Sequence, residues 1–154
     1  GQTPVPHTFP LPTCLDRHAI VLGIDGTVDA IKALSRESQV VFLTNLPAES
    51  GDDRRANLRN LGLTAPVVTN TGPKGPAIRY LAGQVKAPVA FVDDSPGFLQ
   101  SSFEYAPHVK TVHFLHDERF HPHAPDFKFL GLRSDNWAET RNYLRDTLAG
   151  ALAK

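Results

Sequence analysis

The sequence predicts an α/β fold in which helices cover both faces of a central parallel sheet. From His18 onward, apolar runs of strand length alternate with segments of helical period, which is the pattern of successive βα units. Several of the runs are apolar throughout, as expected of strands that are buried on both faces. We therefore expect a three-layer α/β/α sandwich, Rossmann-like, with about five parallel strands.

The individual elements follow from length and periodicity. The runs that predict strands are residues 19–24, 39–43, 66–69, 88–92 and 109–114. The amphipathic segments that predict helices are residues 29–35, 52–61, 75–84, 96–105 and 137–152, because each places apolar side chains along one face. Either Ser134 or Asn136 can cap the last helix. Residues 116–133 are rich in proline and glycine without a period and predict a long surface loop.

The first part of the chain differs from the rest. Prolines stand at positions 4, 6, 10 and 12, a spacing that blocks helix formation and removes backbone donors. We expect residues 1–17 to form an extended arm and residues 18–154 to form one domain. The chain contains no methionine and begins with Gly1, so we expect a processed start with the natural one missing.

Composition argues against several classes of partner. The 16 basic residues balance the 16 acidic ones, so the overall charge does not favour capture of nucleic acid or of an anionic membrane. Cys14 is the sole cysteine, which excludes an intramolecular disulfide framework and favours a reducing compartment. The apolar runs are too short for a membrane span or a signal peptide. We expect a cytoplasmic protein that binds neither nucleic acid nor membrane.

Polar residues follow the predicted strands at the point where each strand ends. In an open parallel sheet, ligands bind beyond the carboxyl ends of the strands, where the loops converge. We therefore expect these side chains to share one cleft. In chain order they are Asp25, Thr44, Asn45, Lys74, Asp93 and Asp94.

The segments that carry these residues resemble the four motifs of the haloacid dehalogenase-like superfamily of hydrolases and phosphatases. They are residues 20–28 (IVLGIDGTV), 40–45 (VVFLTN), 72–75 (GPKG) and 90–96 (AFVDDSP). The resemblance implies that Asp25 acts as general acid and base and that Lys74 neutralises a bound phosphate. It further implies a phosphate site at Thr44 and Asn45, and a magnesium site formed by Asp93, Asp94 and Asp25.

Two departures from the family pattern concern activity. Gly23 stands where the resemblance places the nucleophilic aspartate, so the covalent route is closed and a metal ligand is lost. We therefore expect magnesium to bind only weakly, if at all. Val28 leads directly into the first helix, which leaves almost no room for a flap and none for a cap domain.

Two other interpretations of the first motif remain open. In one, Asp25 is the nucleophile and Thr27 takes the position two residues later. In the other, residues 23–34 are an ordinary loop and helix, and the true first motif lies upstream of Gly1. The residues DGT at positions 25–27 and the apolar run before them favour the interpretation in which Gly23 replaces the nucleophile.

The sequence therefore favours a catalytically degenerate phosphatase-like domain that binds a phosphorylated small molecule or a protein partner. The alternative is a weak magnesium-dependent phosphohydrolase. The retention of four motif residues favours it: Asp25, Thr44, Lys74 and Asp93. For Asp94, the sequence favours two roles equally: the cap of the helix that begins near Pro96, and a metal ligand.

Other polar groups favour ordinary surface roles. The predicted loop carries His116, His121 and His123 with Asp117 and Glu118, and its irregularity argues for exposed histidines over a zinc site. Three arginines on one helix predict a solvated face: Arg54, Arg55 and Arg59. Cys14 has no setting that would activate it.

Overall fold

The computed structural model describes residues 19–24 and 26–152, except for the side chains of residues 118, 121 and 150–152. The predicted arm over residues 1–17 and the side chain of Asp25 lie outside the described residues.

The described chain contains six strands, five helices and two short 3₁₀ turns. The strands are β1 (Ala19–Leu22), β2 (Gln39–Thr44), β3 (Val67–Thr69), β4 (Val89–Asp93), β5 (Lys110–Phe114) and β6 (Leu132–Ser134). The helices are α1 (Val28–Glu37), α2 (Gly51–Asn60), α3 (Gly75–Ala82), α4 (Pro96–Tyr105) and α5 (Trp137–Leu152). The 3₁₀ turns span Ala48–Ser50 and Glu118–His123. None of the described helices has the length and apolarity needed to cross a membrane.

All six strands are parallel, in the order β3-β2-β1-β4-β5-β6. From β1 the chain proceeds outward through β2 to β3, and then crosses back so that β4 pairs with the other side of β1. The order of the strands therefore reverses between β1 and β4. In open parallel sheets this reversal opens a crevice at the carboxyl ends of the two strands.

Two apolar layers hold the helices against the sheet. Because side chains alternate along a strand, Ile20 and Leu22 of β1 join the layer that includes residues of α1, α2 and α5. Ala19 and Val21 point into the opposite layer, which includes residues of α3 and α4. Burial on both faces explains why β1 is apolar throughout, and the three-layer α/β/α prediction is confirmed.

The structure corrects the prediction of about five strands. Residues 116–133, predicted as one loop, contain the second 3₁₀ turn and the start of β6. Strand β6 has only three residues, two of them half-buried, and it pairs with one neighbour at the sheet edge. Because the sequence of β6 is LRS, it contains no apolar run that would predict a strand. Asn136 caps α5, because its Oδ1 accepts a hydrogen bond from the Glu139 amide at 2.8 Å.

Candidate functional site

The carboxyl ends of β1 and β4 meet at a buried ion pair. Gly23 directly follows β1, and its amide donates to the Val92 carbonyl at 2.8 Å. Lys74, at the start of α3, reaches across so that its Nζ lies 2.8 Å from Asp93 Oδ2 and 3.1 Å from the Gly23 carbonyl oxygen. The side chains of Lys74 and Asp93 are only 3% and 1% exposed. Two of the predicted site residues are thus brought into direct contact with each other.

The Asp93 carboxylate lies in the space that a side chain at position 23 would need. An ideal Cβ built on Gly23 would be 2.0 Å from Asp93 Oδ2 and 2.8 Å from Lys74 Nζ. Both distances are shorter than van der Waals contact allows. A larger residue at position 23 therefore requires Asp93, Lys74 or both to move.

The position of Lys74 is fixed by the close approach of α3 to α4. A Cβ on Gly75 would lie 2.3 Å from the carbonyl oxygen of Ser101, so only glycine allows the two helices this near. The Gly75 amide donates to Ser101 Oγ at 2.9 Å. The Lys74 ammonium also lies 4.6 Å from the centroid of the Phe98 ring, within the range of a cation–π contact.

Both carboxylate oxygens of Asp93 have partners. Oδ2 accepts from Lys74, and Oδ1 accepts from the Ser95 amide at 2.8 Å. Burial raises the pKa of Asp93 from 3.8 to about 6, because the loss of solvation outweighs the attraction of Lys74. At neutral pH the carboxylate is still largely ionised, so the ion pair is the prevailing state.

A cleft of about 660 Å³ opens beside this ion pair. Gly23, Thr44 and Asp94 line it, whereas Lys74 and Asp93 are not among its lining residues. Its apolar lining comes mainly from the ends of β1, β2 and β5: Leu22, Phe42, Leu43, Phe114 and Leu115. The remaining lining residues are Ile24, Leu46, Arg54, His116, Asp117 and Phe120. Four of the predicted residues therefore form two groups: the buried pair Lys74 and Asp93, and the cleft-lining residues Thr44 and Asp94.

A dehalogenase has a similar fold. Its crystal structure, described as a dehalogenase with an intermediate complex, matches 78% of this chain with a TM-score of 0.54 and 20% sequence identity. The chain spans about half of that protein, 53% of its length. No protein-family model and no curated protein matches the sequence significantly. At this identity the likeness shows the fold alone, and function has to be argued from the site.

Asn45, predicted to bind phosphate, contacts the protein itself. Its Nδ2 donates to the Gly72 carbonyl at 3.0 Å, and its Oδ1 accepts from Asn70 Nδ2 at 3.1 Å. Asn70 Nδ2 also lies 3.2 Å from the carbonyl oxygens of both Gly72 and Pro73. The two amides thereby hold the turn before Lys74, where Gly72 has a φ of 84°. Sequence reasoning missed Asn70, although it follows a predicted strand as the other site residues do.

A second residue that the sequence analysis missed is His113 in β5, which is 1% exposed. Arg133 Nε donates to its Nδ1 at 3.4 Å. The remaining ring nitrogen therefore carries the hydrogen, and Nε2 lies 3.2 Å from the Asp94 carbonyl. Arg133 also donates to the Pro125 carbonyl. These bonds hold the turn after β4, which carries Asp94. The only sequence signal was one histidine within an otherwise apolar strand end.

Asp94 does not cap α4. Ser95 is the N-cap residue and makes no side-chain cap bond, while Asp94 is exposed and lines the cleft. The helix-cap role that the sequence left open is therefore absent for this residue.

The arginines of α2 are less solvated than predicted. Arg55 donates to Asp52 Oδ1 and to the Val67 carbonyl, both at 2.9 Å, and so ties α2 to β3. Arg54 lines the cleft. Of the three arginines, Arg59 is exposed, whereas Arg54 and Arg55 are half-buried. The prediction of one solvated basic face is wrong for Arg55, because its guanidinium is bonded to the backbone of β3.

The described residues do not fit a magnesium ion. Mg²⁺ prefers an octahedral set of oxygen ligands, but both oxygens of Asp93 and the carbonyl of Gly23 already accept hydrogen bonds. Among the described side chains, which do not include those of Asp25, Glu118 and His121, no group of three or more from His, Cys, Asp or Glu is placed to hold a metal. Of the histidine-rich loop, His116 has its Nδ1 3.3 Å from the Asp135 carbonyl, and Asp117 pairs with Arg119.

Proposed function

We propose that this domain binds a phosphorylated small molecule in its cleft without hydrolysing it. The observation that carries the proposal is the location of the Asp93 carboxylate, 2.0 Å from where the Cβ of residue 23 would be. Hydrolysis through an aspartyl phosphate needs a carboxylate that is free to attack. The carboxylate in this space is buried and bonded to Lys74.

The lining of the cleft supports an anionic ligand at one end. Thr44 and Arg54 both line the side formed by β2 and α2, and a guanidinium binds phosphate through charge-assisted hydrogen bonds. Asp94 lines the side formed by β4 and β5, where its carboxylate would repel an anion. The volume of about 660 Å³ lies within the range of small-molecule sites.

The proposal is tested by thermal denaturation with a panel of phosphorylated metabolites and their dephosphorylated counterparts, in the presence of EDTA. We expect at least one phosphorylated compound to raise the melting temperature and to be recovered intact. Thr44→Val and Arg54→Gln should weaken that effect. Arg59→Gln is the matched control, since Arg59 is exposed on the same helix and does not line the cleft. Equal stabilisation by the dephosphorylated compounds would refute a phosphate site.

The exposed carboxylate of Asp94 favours one alternative. It lines the same cleft as Thr44, so a weak magnesium-dependent phosphohydrolase is the second candidate. Release of phosphate from an aryl phosphate in magnesium, abolished by Asp94→Asn, would support this activity. We expect no release above that of the Asp94→Asn variant.

A further inference from the structure

The Lys74 ammonium is bound by the surrounding protein much as a free cation would be. Asp93 Oδ2 and the Gly23 carbonyl oxygen accept from it at 2.8 and 3.1 Å. The ring of Phe98 faces it at 4.6 Å. These groups come from β4, from the end of β1 and from α4, so they form a pocket around one positive charge.

We infer that this pocket is a cation site whose occupant is the protein's own Lys74, and that the lysine excludes divalent cations from it. The pocket lies where the strand order reverses between β1 and β4. A divalent ion placed there would lose its best carboxylate to Lys74 and would be repelled by the ammonium. Removal of the lysine side chain should leave the oxygens of Asp93 and Gly23 facing an empty space.

Two features distinguish the Lys74–Asp93 pair from an ordinary surface salt bridge. Lys74 is 3% exposed, and a lysine so deeply buried requires a partner for its charge. Its backbone is fixed by Gly75 against Ser101 and by the Asn70 bonds to the preceding turn. Gly23 lines the cleft and touches both charged groups, so that small ions can enter from the cleft once the lysine is shortened.

The decisive variant is Lys74→Ala, studied by thermal denaturation with magnesium, calcium or methylammonium chloride against matched sodium chloride. We expect a lower melting temperature than that of the unmodified protein, and a saturable rise with at least one of these cations. Binding to the folded state alone produces such a rise, at concentrations above the Kd. The unmodified protein and the exposed-lysine control Lys86→Ala should show no such rise.

The double variant Lys74→Ala/Asp93→Ala identifies the ligand. It removes both charges, so it should be no less stable than Lys74→Ala, and it should not respond to the added cations. A response equal to that of Lys74→Ala would place the cation elsewhere and overturn the inference. Absence of any cation-dependent rise in Lys74→Ala would overturn it as well.

A measurement on the unmodified protein keeps the inference testable if Lys74→Ala does not fold. A buried, hydrogen-bonded ammonium should give a slowly exchanging NMR resonance, assigned by its loss in Lys74→Arg. We expect that resonance to be unchanged by magnesium in large excess. Its displacement by magnesium would overturn the inference. The inference deepens the proposed function by explaining metal-independent binding, but these experiments use no phosphorylated ligand, so their failure would leave that function standing.

Discussion

Asp93 and Gly23 are sterically coupled, because the Asp93 carboxylate fills the volume that a side chain at position 23 would occupy. An ideal Cβ on Gly23 would lie 2.0 Å from Asp93 Oδ2. A glycine at position 23 is therefore a steric requirement of the Lys74–Asp93 pair. This glycine makes room for a buried salt bridge. Four expectations follow from this arrangement and from the residues that support it.

Gly23→Ala should lower the free energy of unfolding by about 1–3 kcal/mol, the usual cost of overpacking a buried site. The added methyl group would force the Asp93 carboxylate away from Lys74. Urea denaturation measures the effect, and Gly83→Ala is the control. Gly83 has a φ of −69° and would bring its Cβ no nearer than 3.4 Å to another atom. In the double variant with Asp93→Ala, the cost of Gly23→Ala should largely disappear. Simple additivity of the two costs would argue against the steric coupling.

The sequence predicted the order of the βα units and the bounds of α4 and α5, because each depends on local periodicity. It did not predict that Lys74 and Asp93 bond to each other, since they are 19 positions apart and each was assigned to a ligand. That pairing depends on how near α3 and α4 approach, which the sequence does not reveal. Strand β6 was missed because its sequence, LRS, has a single apolar residue, whereas the equally short β3 is VVT and fully buried.

Asn70→Asp should destabilise the turn before Lys74. Asn70 is 6% exposed, and its Nδ2 lies near three oxygens, from Asn45, Gly72 and Pro73. A carboxylate there would face acceptors with no hydrogen to donate, at a cost of about 1–3 kcal/mol or more. Hydrogen exchange at the Ile78 amide, which donates to the Lys74 carbonyl, should accelerate. The exposed Asn57→Asp is the control on α2. Unchanged exchange in Asn70→Asp would contradict the role of this amide.

His113→Leu should loosen the turn that carries Asp94. The substitution removes the Nε2 donor from the Asp94 carbonyl and the Nδ1 acceptor from Arg133. Both bonds are only partly buried, so each should contribute about 0.5–1.5 kcal/mol. His113→Gln places an amide near the position of Nε2 and should restore part of the loss. Hydrogen exchange at the Ser95 amide, which donates to Asp93 Oδ1, reports the turn directly. Equal exchange rates in His113→Leu and His113→Gln would show that packing, and not the hydrogen bonds of His113, holds this turn in place.

The stability contributed by Asp93 should fall as the pH rises from about 4 to 6. Burial raises the pKa of this carboxyl from 3.8 to about 6 in the folded protein, so the folded state binds more protons than the unfolded state within that interval. Stability decreases with pH wherever the folded state holds the extra proton. The shift of roughly two units corresponds to at most about 3 kcal/mol.

The measurement is the free energy of urea unfolding between pH 4 and pH 7 in EDTA, for the unmodified protein and for Asp93→Asn. Because asparagine does not titrate, the difference between the two proteins isolates the contribution of residue 93. We expect that difference, unmodified minus variant, to become smaller with rising pH and to level off above about pH 7, since the shift in pKa is then fully expressed. A difference that grows with pH would mean that the attraction of Lys74 outweighs the cost of burial. The pKa of Asp93 would then lie below 3.8 in the folded state, and the pair would stabilise the fold most strongly at neutral pH.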